Sequence, residues 1–390
     1  MKIWKYKRLS EYSNFVSERT SNIAIDNYIS TENMIENRGG VKEAAALPDV
    51  KSTSAYKPND ILLSNIRPYF CKIWFADKKG SCSNDVLVVR AKKEVDPKFL
   101  YYVLSDQNFF NWDSMTSKGT KMPRGTPNAI MKYSVPDLPF HTQQKIASIL
   151  SAYDNLIQNY KKQIEALQTA ASELYKEWFV RFRFPGWQNA KFENGIPEGW
   201  NYKRIFELYN TTSGGTPART NSSYYENGTI PWVKTGELLD TLITDTEEYI
   251  TEEGLKNSSA KIIEPGSLLC SMYAGVGKLG INVIPMTCSQ ATCVFTPKSN
   301  ISIWYLFFWL MRNKEYLESI SFGAAQQNRS QDIIKKITVL FPSESVTLSF
   351  DEKIKPIYKK IQNLMQQISN LTQQRDLLLP RLMSGKLEVE

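Results

Sequence analysis

Histidine is nearly absent from this 390-residue chain: His141 is the only one, and the five cysteines, Cys71, Cys82, Cys270, Cys288 and Cys293, include no CxxC pair. A structural zinc site needs Cys and His at short, fixed spacings, so none is expected, and the thiols read as buried and free. Long uncharged apolar runs are also missing. The most apolar stretch, Ile301 to Met311, is far too short to span a bilayer, and the first residues turn polar at once, so neither a membrane span nor a signal segment is expected. A cytoplasmic protein with no membrane partner is the expectation.

Catalytic signatures are lacking as well. Ala274 to Leu279 (AGVGKL) resembles the end of a phosphate loop, but Met272 stands where the first glycine is required and no Ser or Thr follows Lys278. Ser213 to Pro217 (SGGTP) is a glycine turn without the strand and helix of a dinucleotide site. His141 has no nucleophile beside it and reads as a surface or capping residue at a helix start. There is no Asn-Pro-Pro-aromatic tetrad of an amino-methyltransferase and no acid-acid-Lys nuclease cluster. Asp240, Asp245, Glu247 and Glu248 read as a solvated face. No catalytic residue and no metal ligand is assigned.

Ordinary globular proportions remain, 42% apolar and 23% charged, on a chain too long for one core. The net charge of +8 is uneven: residues 1 to 140 hold 21 Lys and Arg against 15 Asp and Glu, whereas residues 186 to 341 hold 14 against 15.

An internal repeat organises the chain. Trp4 to Leu9 (WKYKRL) recurs as Trp200 to Ile205 (WNYKRI), Pro58 to Ser64 (PNDILLS) as Pro265 to Ser271 (PGSLLCS), and Leu100 to Leu104 as Leu306 to Leu310. The three matches keep their order, about 200 residues apart, which marks duplicated modules. Each copy continues with a glycine-containing polar loop, a short apolar strand ending at Pro139 or Pro342, and a helical region.

The first helical region carries an apolar seam at Ile146, Leu150, Tyr153, Ile157, Tyr160, Ile164, Leu167, Ala171, Leu174 and Trp178. Spacings that alternate four and three give the 3.5-residue period of a coiled coil, on a helix of roughly 50 Å. The second repeats it at Ile354, Ile357, Ile361, Leu364, Ile368, Leu371, Arg375 and Leu378. There Pro356 is expected to start or kink the regular part, Pro380 to stop it, and Arg375 to set register or meet a partner. Paired antiparallel, the helices would form a rod with a globule at each end, related by a pseudo-two-fold axis; two unrelated amphipathic helices are the plainer alternative. Phe182 to Trp200, rich in Gly, Pro and Asn, reads as a linker.

The fold class expected is therefore α+β: two mixed α/β globules separated by two long antiparallel coiled-coil helices. The boundaries are 1–140 and 184–341 for the globules, 141–183 and 342–390 for the helical regions.

Base edges in DNA are read by Arg, Lys, Asn and Gln, and both globules have loops of that kind. In the first these are Asn65, Arg67 and Tyr69, with Lys118, Lys121 and Arg124. In the second they are Arg219 and Asn221, Lys234 and Thr235, Tyr273 and Lys278, and Gln326, Gln327, Asn328 and Arg329. Singly, each loop could equally be ordinary polar surface.

Together, Leu138 to Phe182, Gly195 to Ile205 (GIPEGWNYKRI), Ser213 to Thr220 (SGGTPART), Ile230 to Leu238 (IPWVKTGEL) and Gln373 to Val389 resemble the specificity subunit of type I restriction-modification systems, along nearly the whole chain. The first half departs from that pattern: it lacks an SGGTP turn, and Asn27 to Met34 (NYISTENM) is a looser counterpart of IPWVKTGEL. The second helical region opens with SESVTLSFDEKI and lacks the Glu-Gln pair common there.

The resemblance implies that each globule binds one half of a split, asymmetric double-stranded DNA target and that the helices fix the gap. It implies two methyltransferase subunits as partners, with restriction-translocase subunits joining them, and S-adenosylmethionine, ATP and Mg²⁺ on those partners, none in this chain. The alternative is a scaffold whose coiled-coil rod binds other proteins; a fused methyltransferase is a further one. Selection from a duplex library separates the first two, and a methyl-transfer assay on the chain alone tests the third.

Overall fold

A computed structural model of the chain describes residues 4–272, 277–322, 330–387 and 389. It divides into two compact units, residues 1–159 with 367–390, and residues 160–366. The helical regions are thus not bodies of their own: each long helix runs from one unit into the other, and each half packs with the globule of its unit.

Unit 1 opens with the strand Tyr6–Arg8, which pairs antiparallel with the closing strand Ser134–Pro136. Unit 2 opens with Asn201–Arg204, which pairs in the same way with Thr338–Phe341. A one-turn helix follows each, Leu9–Tyr12 and Ile205–Leu208, and both are capped alike: Glu11 accepts from the Arg8 N–H at 2.9 Å and Glu207 from the Arg204 N–H at 3.0 Å. Each glutamate thus satisfies the N-cap N–H in one direction only, since the arginine at the cap has no acceptor to return the bond.

The main sheets repeat too. In unit 1 the antiparallel order is Ser13–Phe15, Val86–Ala91, Ile61–Ser64, Ile73–Phe75; in unit 2 it is Tyr209–Ser213, Thr292–Pro297, Leu268–Ser271, Leu279–Asn282, with Thr241–Ile243 added in parallel. Ile61 to Ser64 and Leu268 to Ser271 are buried on both faces, which explains their unbroken apolar character. The looser sequence match is structural as well: Tyr28–Ile29 pairs parallel with Gly80–Cys82 as Ile230–Val233 does with Thr287–Cys288.

Behind each sheet lies a helix pair, Pro97–Ser105 with Gln107–Thr116 and Ile303–Arg312 with Lys314–Phe322. The apolar run noted above is the helix Ile303–Arg312, buried almost all round. All five cysteines are buried free thiols, and burial pushes Cys82, Cys270 and Cys288 up to about 12. No described helix is long and apolar enough to cross a membrane.

The long helices span Phe140–Tyr175 and Glu344–Met383, 36 and 40 residues, and a π turn, Lys176–Val180, prolongs the first. Every seam residue is buried or half-buried, from Ile146, Leu150 and Ile157 through Tyr153, Tyr160, Ile164, Leu167 and Leu174 on the first helix to Ile357, Ile361, Leu364, Ile368 and Leu371 on the second. In unit 1, Ile146, Ala147 and Leu150 share a core with Leu379, Leu382 and Met383. In unit 2, Tyr175 and Phe179 meet Phe350, with ring centroids 6.1 and 4.9 Å apart.

Arg375 pairs with an acid on the other long helix. Its Nη1 lies 2.6 Å from Asp154 Oδ1 on the first helix, and Asp154 Oδ2 accepts from the Tyr102 hydroxyl at 2.6 Å. The prolines act otherwise than expected. The second helix begins twelve residues before Pro356 and ends three after Pro380, so neither starts nor stops it; each removes one i to i−4 hydrogen bond, and the buried seam outweighs that loss. The linker is also more than a linker: Phe182 meets Trp200 edge to face and Phe184 meets it tilted, each with centroids 5.4 Å away, against the aromatic core of unit 2.

Candidate nucleic-acid interface

In unit 1 the two polar loops form one patch. Ile66 bridges Arg124, Lys118 and Arg124 exchange backbone hydrogen bonds of 2.8 and 2.9 Å, and the Arg67 N–H donates to Pro123 O at 2.8 Å. Arg67, Tyr69, Lys118, Lys121 and Arg124 are exposed on it. Arg67 has a left-handed φ of 51° and its guanidinium lies over Phe70, 5.9 Å from the centroid, while Arg124 pairs with Asp85 at 2.9 Å.

Asn65 points the other way. Its Oδ1 is buried, as are both carboxylate oxygens of Asp113, and none of the three has a hydrogen-bond partner among the described residues. A Cβ on Gly125 would stand 2.5 Å from Asp113 Oδ1 and 2.9 Å from Asn65 Oδ1, so only glycine lets the loop close over this pair. Burial, with no cation to offset it, pushes Asp113 up to about 7.

In unit 2 the structure joins Arg219 and Lys234 through an acid. Arg219 Nη1 donates to Glu248 Oε2 at 2.6 Å, and Lys234 Nζ donates to Glu248 Oε1 at 2.9 Å and to Glu247 at 3.0 Å. Arg219, first of all, and Lys234 hold the Glu248 carboxyl below the usual range. The Arg219 guanidinium carbon lies 4.4 Å from the Tyr225 ring centroid and 4.8 Å from that of Trp232. Both rings also hold the SGGTP turn: Tyr225 Oη donates to Pro217 O at 2.6 Å and Trp232 Nε1 to Gly215 O at 2.9 Å. The turn needs its glycines for close packing, because a Cβ would fall 2.1 Å from Cys288 O at Gly214 and 2.2 Å from Ala260 N at Gly215.

Thr235 is half-buried in the turn after Lys234, which Glu237 caps by accepting from the Lys234 N–H at 2.7 Å. Asn221 is a cap too, accepting from Ser223 N and Oγ at 3.2 and 2.8 Å. Lys278 is exposed, and among the described residues no hydrogen bond joins it to Arg219 or Lys234. Tyr273, Gln326, Gln327, Asn328 and Arg329 lie outside the described residues. His141 is exposed in the first turn of its helix.

The solvated-face reading fits Asp245 and Glu247, which are exposed, and requires correction for the other two acids. Glu248 is a bridging partner of two candidate reading residues, and Asp240 accepts from the Leu279 N–H at 3.0 Å and binds Lys314. Sequence reasoning could not find Glu248 as the shared partner, because it lies 29 residues from Arg219 and 14 from Lys234 along the chain.

The type I restriction modification DNA specificity domain matches the chain twice, over residues 2–169 and 197–376. Among curated relatives, the type I restriction enzyme MjaIX specificity subunit of Methanocaldococcus jannaschii is 28% identical over 308 residues, 77% of this chain and 71% of the relative. The HindI specificity subunit of Haemophilus influenzae is 24% identical across 99% of this chain and all of the relative. The crystal structure of a type I restriction-modification S subunit from M. genitalium shares the fold, with a TM-score of 0.61 at 16% identity, covering 100% of this chain and 98% of that one.

Proposed function

The chain belongs to the type I restriction-modification DNA specificity family, and from that premise we propose that its two modules read the two unlike halves of a split double-stranded DNA target. The observation that carries this is the contrast within the repeat: opening strand, closing strand and sheet order recur, whereas the polar clusters differ. Unit 1 presents Arg67, Lys118, Lys121 and Arg124 with one acid beside them; unit 2 presents Arg219 and Lys234 held by Glu247 and Glu248. A shared frame with unlike reading surfaces suits one docking geometry and two different half-sites.

The long helices then fix the gap and hold two methyltransferase subunits, with restriction-translocase subunits joining for cleavage in the cytoplasm. This chain supplies recognition and no catalysis; S-adenosylmethionine, ATP and Mg²⁺ serve the partner subunits. Selection from randomised duplexes by the chain assembled with methyltransferase subunits is expected to enrich a bipartite, asymmetric motif. Enrichment of none would favour the scaffold reading, and methyl transfer by the chain alone would overturn the non-catalytic one.

A further inference from the structure

We infer that Arg219 is a guanine-reading residue of the second module and that Glu248 is the positioning residue that aims it; this rests on the DNA reading proposed above. Sequence-specific recognition by arginine needs a planar fork held in a fixed attitude, so that two donors meet O6 and N7 of guanine together. Arg219 is built that way. Two aromatic rings set edge to face against each other form a corner for the guanidinium, their polar ends tie down the turn that carries it, and Glu248 takes one end of the fork through Nη1. Glu248 is fixed in turn: its backbone carbonyl accepts from the Trp232 N–H at 2.9 Å and from Thr246 Oγ1 at 2.7 Å.

Nε and Nη2 of Arg219 have no hydrogen-bond partner among the described residues, and the side chain is half exposed, at 51%. The free edge is therefore the one that can bind two acceptors at once.

Charge argues against a phosphate as the ligand. Arg219 and Lys234 are matched by Glu247 and Glu248, and Glu247 is 75% exposed, so the cluster carries no net positive charge to attract a backbone anion. A guanine edge offers partial negative charge on two neutral acceptors and suits a neutralised, oriented arginine. Preorganisation also lowers the side-chain entropy lost on binding.

The test uses the chain assembled with its methyltransferase subunits and selection from randomised duplexes. Arg219→Ala is expected to abolish the preference for guanine at one position of one half-site, by on the order of 10- to 100-fold, with the other half-site unchanged. Arg219→Lys, which keeps the charge and loses the fork, should not restore it. Glu248→Gln should weaken the same position and no other. Unreactive thiols at Cys270, Cys288 and Cys293, all buried in unit 2, report that the module is folded; if either Arg219 variant exposes them, the isosteric Glu248→Gln decides. An unchanged motif overturns the inference, as does a loss uniform over all sequences that Arg219→Lys rescues, which marks a phosphate contact. A wild-type complex that selects no bipartite motif would instead sink the DNA reading itself.

Discussion

Asp113 lies on the helix Gln107–Thr116 beneath the polar patch of unit 1, wholly buried, and carries a pH signature that can be worked out in advance. Its carboxyl sits at about 7 against an ordinary 3.8, because burial disfavours the anion and no cation faces it. Between about pH 4 and pH 7 the folded state thus holds a proton that the unfolded state has released. Stability must fall as pH rises through that window and level off above it. Each pH unit of separation is worth about 1.4 kcal/mol, so about three units give a cost of roughly 4 kcal/mol at pH 8. Asp113→Asn has nearly the same shape and cannot ionise. The variant should match the wild type near pH 4 and exceed it at pH 8, by up to roughly 4 kcal/mol in the limit. Hydrogen exchange across residues 107–116, corrected for intrinsic rates, reads the local opening energy at both pH values. If the wild type shows no such slope, or Asp113→Asn is the less stable of the two at pH 8, the carboxylate is compensated and the reasoning fails.

Substitutions at four other positions and one insertion provide further tests. Asp154→Leu should cost about 1–3 kcal/mol, less than for a fully buried pair because Arg375 and Asp154 remain 17% and 27% exposed; with Arg375→Leu it should cost less than the two single losses added, and thermal melts of wild type, both single variants and the double would show plain additivity if the pair were idle. Gly125→Ala drives a methyl to 2.5 Å from Asp113 and is expected to weaken the half-site read by unit 1, with the other retained; equal weakening of both in duplex selection would contradict separate reading. Arg329→Ala should likewise alter one half-site only. Inserting four residues at Thr169 adds about 6 Å of helix, so the gap in the selected motif should lengthen with both half-sites kept, and an unchanged gap would remove the helices as its ruler.

The frame was legible in the sequence because it rests on local signals. WKYKRL and WNYKRI are opening strands with the same cap, and the seam from Ile146 to Trp178 is buried or half-buried along its length. Arg375, the charged residue of the second seam, meets Asp154 on the first helix. Pro356 and Pro380 misled because their local cost is overruled by burial of the neighbouring Ile354, Tyr358, Leu379 and Leu382. Within the candidate site, residue type suggested Arg219 and Lys234, but not that Glu248 joins them, since strand pairing and not spacing brings Tyr249 opposite Pro231 and sets Glu248 beside Trp232. Asn65 was plausible by type and turns inward, because its neighbour Gly125 closes the loop over it.

The most direct test of the central claim is to map the methylated bases in DNA from cells in which this chain works with its methyltransferase subunits. One motif of two unlike halves around a fixed gap of unspecified bases is expected, with the half read by unit 2 containing a guanine that Arg219→Ala releases. A palindromic motif, a continuous one, or methylation unaffected by loss of the chain would contradict it.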